Sequence, residues 1–480
     1  MAIEEFSIPA HVLEYLKHQG YTVNNSMDSL IAEWWQWYTG GNKWYDVDYV
    51  TRDDRRRTRK RLSLHPARRV SREWASLLLN EDTEVSVDAE KANRWLNGYD
   101  TEDGRHVKGY LAAHDFWTIS QDMVEEGFAL GTAAWALWFD VRDDDRETVI
   151  KPRTYDARMV RPLSWDDDGV TECAFCTRIT LRGKPADQVQ VHAIGEDGAY
   201  VIRTAVFIEG KQVSAEAFGI MEEFETGCKT PTFAIVRPGI KNTYADVSPY
   251  GVAVFADAID TVKAVDLTWD AFMQEVELTE VMVFMDEGMI DVRNENGKVV
   301  PVPKGDGNRI FRKLFGQAGK DMYEVFSPEI RADPLFRAFN TALAELGDQC
   351  GFGQNYFTLD KDGGMKTATE VSSDNSALMR SISKHEVVLS GAIAQLLTAL
   401  LTCARIHCGA DVEEEFGDVS VFFDDSIITD TQTDKTMMLN EIAAGVVPKW
   451  MYLKEFYGMT EEEARAALAS QAEPVLDLGL

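Results

Sequence analysis

The chain has 480 residues, of which 45% are hydrophobic and 27% charged, enough for about three domains at roughly 150 residues each, so disorder is not the default reading and collagen-like and low-complexity classes are excluded. Acidic residues outnumber basic ones 80 to 49, for a formal net charge of −31; a field of that sign repels phosphate, and any contact with nucleic acid has to be local or weak. Six scattered cysteines make no disulfide framework, the N-terminus does not read as a secretory signal, and the most apolar stretches read as too short for a bilayer, so the expectation is a protein made in a reducing cytoplasm or assembled from there.

The N-terminal part, as far as Leu130, reads as helical and aromatic. The run WWQWYTGGNKWY gathers Trp34, Trp35, Trp37, Tyr38, Trp44 and Tyr45, a composition that more often belongs to a core or subunit interface than to a ligand or base-stacking site. The one basic exception follows, with Arg52, Arg55, Arg56, Arg57, Arg59, Lys60, Arg61, Arg68, Arg69 and Arg72. Such a run suits phosphate, an acidic neighbouring subunit or a solvated face, and the latter two are the stronger readings.

From about 135 to 240, short runs such as CAFCTRITL, AYVIRTAVFI and TFAIVRP are separated by Gly, Asp and Pro, the pattern of a β-rich, antiparallel segment. Ser248 offers an N-cap with Pro249 at the first helical position. Apolar residues then follow three or four apart from Phe255 to Val276, which predicts a helix over 248–279, about 45 Å long. Its other faces carry Asp257, Asp260, Asp266, Asp270, Glu275 and Glu277 against Lys263. Residues 280–330 hold the strand-like runs EVMVFM and KVVPVP and a type I′ hairpin signal at Asn296 and Gly297. A second helix is expected to about 350, then the polar stretch LDKDGGMKTATEVSSDNS, then a long apolar helix from about Ser376 to Ile406. From Asp411 to the end the chain is acidic, with a strand at VSVFF and a closing helix opened by a capping box from Thr460 to Glu463.

Catalytic chemistry is mostly absent. No Gly-Lys pair is followed by Ser or Thr in a phosphate-binding loop, and there is no G-x-S-x-G, H-E-x-x-H or complete EF-hand. Cys173-x-x-Cys176 is half of a zinc spacing without a second pair. The triplets Asp143 to Asp145 and Asp166 to Asp168 suit a divalent cation, although acidic strand-connecting loops are commoner. No cofactor is called for, and the balance moves from enzyme toward assembly or conduit.

Four motifs in order sharpen that balance: WWQWYTGGNKWYDV with ARRVSREWASLLLNEDTEV; GFALGTAAWALWFD with SPYGVAVFADAIDTVKAVDLTWDAFMQE; TATEV at Thr367 to Val371; and GVVPKWMYLKEFYGMTEEEARAAL. Together they resemble the portal proteins of tailed double-stranded DNA bacteriophages, in the siphophage branch. The resemblance implies an α+β portal fold: a wing over 1–247, a first stem helix over 248–279, a clip over 280–330, a second stem helix over 331–352, a wing strand and tunnel loop over 353–376, a long helix toward the crown over 377–410, and a crown over 411–480. It further implies a non-enzymatic ring, usually of twelve copies, at one vertex of the virion capsid, without membrane contact. Its partners would be the major capsid protein and scaffold, terminase, a head-completion adaptor or connector, and double-stranded DNA held by weak transient contacts.

On that reading the loop from Asp360 to Asp374, with Lys361, Asp362, Gly363, Gly364 and Lys366, projects into the channel. Asp266 and Asp270 line its acidic wall, and Asn296 and Gly297 mark the clip's docking surface. Two rivals are a minor head morphogenesis protein without a channel, and a metal-dependent nucleic-acid enzyme acting through Asp166, Asp167 and Asp168.

Overall fold

A computed structural model describes residues 6–50, 54–80, 83–101, 103–141, 148–167, 169–279, 329–359 and 368–423, the strands within 282–326, and short stretches between 438 and 468. The β-rich segment folds as two antiparallel sheets. One has the order Lys211–Val213, Tyr200–Ile208, Lys184–Ile194, Gly169–Leu181, Val160–Asp166, and the other sets Ala133–Val141 between Phe233–Val236 and Thr148–Asp156. Because side chains alternate along a strand, the larger sheet has two apolar faces. Ala174, Cys176, Val189, Val191 and Ala205 pack under the helix Ala10–His18 through its Val12 and Leu16. Cys173 and Phe175 instead meet Ala134, Ala136, Tyr155 and Phe233 of the second sheet.

The second sheet turns Trp135 and Leu137 the other way, into the main core. There they join the helix Phe116–Leu130, the aromatic cluster and the long helix Ala368–His407. Trp34, Trp37 and Tyr45 are fully buried, so the N-terminal aromatic run is core. The segment Ser376–His407 is by itself long and apolar enough to cross a membrane, with a mean hydropathy of 2.0 over 18 residues, which corrects the reading that every apolar stretch is too short. Packing accounts for that composition: 56% of the window is buried, and Ile393, Leu396, Leu397, Leu400 and Leu401 are sealed in the core.

The expected helix start at Ser248 is also corrected. The Ser248 hydroxyl accepts a hydrogen bond from the Tyr250 amide at 3.2 Å in a local turn. Residues 250–255 are buried without helical structure, and the helix Ile259–Leu278 begins only after a 3₁₀ turn at Ala256–Ala258. Tertiary packing overrides the local cap here. A Cβ on Gly251 would clash with the Gly131 carbonyl oxygen, and the Val254 amide donates to the Phe128 carbonyl at 2.9 Å.

Ala332–Gln349 runs antiparallel beside Ile259–Leu278. Thr261 bonds Gln349 at one end (2.8 Å), Arg331 bonds Glu275 at the other (2.7 Å), and Trp269 meets Phe339 between them. Chain leaving one helix therefore returns down the other, after about 30 Å of rise. Between them, Met282–Met285 is flanked by Phe311–Lys313 and Tyr323–Phe326, and Val292–Glu295 pairs with Lys298–Pro301.

Residues 351–359 form turns and bends, 360–367 lie outside the described residues, and the long helix already begins at Ala368. No Gly or Pro follows Gly364 before Gly391, so nothing stops the helix from propagating back from its apolar half. Val419–Phe422 pairs with Glu84–Val87, which ties the C-terminal part to the N-terminal body. A helix follows at Lys449–Tyr457. At the capping box the Ala464 amide reaches the Thr460 carbonyl at 2.9 Å, and residues 461–463 lie outside the described residues.

Candidate functional site

Asp266 and Asp270 sit four residues apart, on one face of Ile259–Leu278. That face does not point to a channel. The two residues are 0% and 2% exposed, covered by residues 59–65, and this corrects their assignment as wall-lining charges. Asp266 accepts hydrogen bonds from the Tyr45 hydroxyl (2.7 Å), the Ser63 hydroxyl (2.6 Å) and the Leu64 amide (2.8 Å). Burial raises its pKa above the ordinary carboxylate value although these donors oppose the shift. Asp270 receives both terminal nitrogens of Arg59, at 2.9 and 2.8 Å, together with the Leu62 amide (3.1 Å) and the Gln274 side-chain amide (2.6 Å). Burial alone would raise Asp270, but these donors outweigh it and hold the carboxyl below its usual value.

The basic run is thus partly internal. Arg59 closes the clamp on Asp270, and Arg61 donates to the Trp44 carbonyl while stacking over its ring at 4.2 Å. Arg68 lies over Tyr38, Arg69 over Phe357, and Arg72 reaches Glu125 at 3.4 Å. Arg56, Arg57 and Lys60 remain exposed on the two-stranded ribbon Asp46–Val50 and Arg56–Lys60. One signal pointed to this pairing. Asp266 and Asp270 fall within the apolar stripe of Val262, Val265 and Trp269, and a buried carboxylate needs donors, which the chain's one cationic segment supplies.

Lys361, Asp362, Gly363, Gly364 and Lys366 lie outside the described residues, as do Asn296 and Gly297. The loop's approach is visible: the Leu359 amide donates to Asn340 at 3.2 Å, so the chain leaves from beside Ala332–Gln349. The strands flanking Asn296 and Gly297 place Glu295 opposite Lys298, the register that a two-residue turn requires. Exposed carboxylates on the helix pair are Asp260, Glu277, Asp333, Glu345 and Asp348.

No group of three or more His, Cys, Asp or Glu side chains among the described residues is placed to hold a metal. Cys173 and Cys176 belong to opposite faces of their strand, and burial pushes both thiols up, Cys176 to about 12. They cannot share one zinc. Asp166 and Asp167 end an exposed strand turn, and Asp168 lies outside the described residues.

The described residues thus form a packed α+β body and an antiparallel helix pair joined through a small β-module. The family model described as "Phage portal protein, SPP1 Gp6-like" matches residues 29–474, and the chain belongs to that family of phage portal proteins. None of the curated proteins matches it. Among solved structures it is similar to a chain in the neck of a native GTA particle computed with C12 symmetry, at 10% identity and a TM-score of 0.38 over 84% of this chain and 89% of that one. It is also similar to a chain in the neck of an empty GTA particle computed with C6 symmetry, at 9% identity and a TM-score of 0.35 over 84% and 88%.

Proposed function

We propose that this portal protein closes into a homo-oligomeric ring, of twelve copies, at one capsid vertex, and that the ring conducts double-stranded DNA during packaging and ejection. The observation that carries the reading is the antiparallel helix pair with its β-module, in a chain of the portal family. In this proposal the body over 1–247 is the wing and the helix pair is the stem. Residues 280–330 are the clip, where terminase and the head-completion adaptor dock through the Asn296–Gly297 hairpin, and the C-terminal part from 411 is the crown. Scaffold and major capsid protein contact the ring during assembly in the host cytoplasm.

The physics of a conduit suits this charge. Tight phosphate binding would trap sliding DNA, whereas twelve copies at −31 give about −370 and repel the duplex from the wall. With Asp266 and Asp270 buried, the exposed Asp260, Glu277, Asp333, Glu345 and Asp348 take over as candidate wall charges. Lys361 and Lys366, in the segment before the long helix, supply weak exchangeable phosphate contacts. The motor's hydrolysis belongs to a separate terminase, since this chain has no phosphate-binding loop. Electron microscopy of the purified full chain tests the reading. Rings with an axial hole wide enough for duplex DNA are expected, and compact particles without a hole overturn it in favour of a channel-free head protein.

A further inference from the structure

Residues 237–251 leave the sheet strand Phe233–Val236 and cross the long helix near Ser383 to Val388, and between the two lies an open groove of about 750 Å³. Its shape is set by close backbone contacts. The Gly239 amide donates to Nδ1 of His385 at 2.8 Å, and a Cβ on Gly239 would lie 2.6 Å from the Lys384 carbonyl oxygen. Asn242 turns the loop by accepting from the Tyr244 amide (2.9 Å) and donating to the Tyr250 carbonyl (3.0 Å). The groove is therefore held open by the fold.

Its chemistry is unusual for this chain. Three cations, Arg237, Lys241 and Lys384, line it against one carboxylate, Asp246, in a protein whose acids outnumber its bases 80 to 49. The Arg237 guanidinium is mostly withdrawn from water, makes one hydrogen bond, to the Pro249 carbonyl (3.3 Å), and pairs with no carboxylate among the described residues. Lys241 and Lys384 are exposed and likewise have no carboxylate partner there. Beside these charges Val387 is 73% and the nearby Val247 76% exposed. Large apolar side chains next to unpaired cations mark a protein contact better than a solvated surface. A closed ring is built from heterologous contacts, in which a recess on one copy receives a projection of the next.

We propose that this groove is a contact between neighbouring subunits, filled by a carboxylate-bearing projection of an adjacent copy of this chain. The inference rests on the ring reading above. The projecting Asp or Glu pairs with Arg237, Lys241 and Lys384 in a partly desolvated site, and its apolar neighbours cover Val387 and Val247.

The test compares wild-type full chain with Lys241→Glu/Lys384→Glu by sedimentation velocity over a range of concentrations, with thermal melts to verify folding. Both lysines are exposed, so the subunit melt should stay at the wild-type value. The concentration for half-assembly should rise about thirtyfold or more, which is ~2 kcal/mol at 1.4 kcal/mol per decade. A photo-reactive phenylalanine analogue at Val387 gives an independent readout. It should cross-link two copies, with the captured peptide containing Asp or Glu. Wild-type rings accompanied by unimpaired variant rings, or by cross-links confined to one chain or to a different protein, overturn this contact and leave the ring reading standing. Wild-type chain that stays monomeric at every concentration overturns both.

Discussion

The clamp on the first helix of the pair makes a quantitative prediction about local stability. In Arg59→Met the aliphatic stem is retained, but Asp270 loses the two charge-assisted bonds at 2.9 and 2.8 Å and keeps the Leu62 and Gln274 amides as neutral donors. Removing one partner of a buried ion pair typically costs about 3–5 kcal/mol. The Arg59 side chain is 35% exposed, so part of that is screened by solvent, and about 2 kcal/mol is the expected loss. The clamp holds residues 59–65 on the helix, hence the loss falls on local opening of the ribbon and its following segment rather than on global unfolding. Hydrogen exchange read by mass spectrometry should show amides of residues 46–65 exchanging about thirtyfold faster, while the long helix is unchanged. A double variant, Arg59→Met/Asp270→Met, should cost at least ~1 kcal/mol less than the sum of the single changes, because no charge is left buried alone. Unchanged exchange at 46–65 in Arg59→Met would refute the clamp as a stabilising contact.

Acid should weaken the body through two buried histidines. Burial pushes His385 down to about 4 and His192 to about 3, against about 6.5 in the unfolded chain; stability is full above pH 6.5 and falls as the unfolded state alone binds protons, by up to about 3 kcal/mol for His385 between pH 6.5 and 4. Denaturant midpoints of wild type and His385→Gln should converge toward pH 4, and a constant difference from pH 7 to 4 contradicts this. Gly251→Ala should cost about 1–3 kcal/mol of overpacking, since its Cβ would clash with the Gly131 carbonyl oxygen; a wild-type midpoint in urea refutes it. Deleting residues 290–303 should leave rings intact and abolish packaging, and normal packaging removes the clip assignment. Lys361→Ala/Lys366→Ala should leave rings intact and alter the rate or completeness of packaging; wild-type packaging and retention exclude a role for those lysines.

Much of the architecture was legible in the sequence because local signals and tertiary packing agreed. Alternating Val, Ile, Thr and Phe between turn residues marked the antiparallel sheets, and the three-to-four spacing after Phe255 marked the helix Ile259–Leu278. The misreadings have physical causes. Ser248 and Pro249 form a sound local cap, but Gly251 must pass against Gly131, and that long-range approach keeps 250–255 irregular. The exposed or buried state of Asp266 and Asp270 depends on what covers their face, and the cover, 59–65, comes from far earlier in the chain. A hydropathy profile cannot separate a core helix from a membrane span, and only the packing of Leu396, Leu397 and Leu400 does so. The groove beside Val387 left no sequence signature, because its cations come from two segments, around Arg237 and around Lys384, that are distant in the chain.

The central claim is that this portal protein works as a closed ring, and native mass spectrometry of the purified full chain tests it most directly. The account predicts a dominant species near twelve times the 54.0 kDa subunit mass, persisting at micromolar concentration over a range of salts. A monodisperse 54.0 kDa monomer under all those conditions contradicts it.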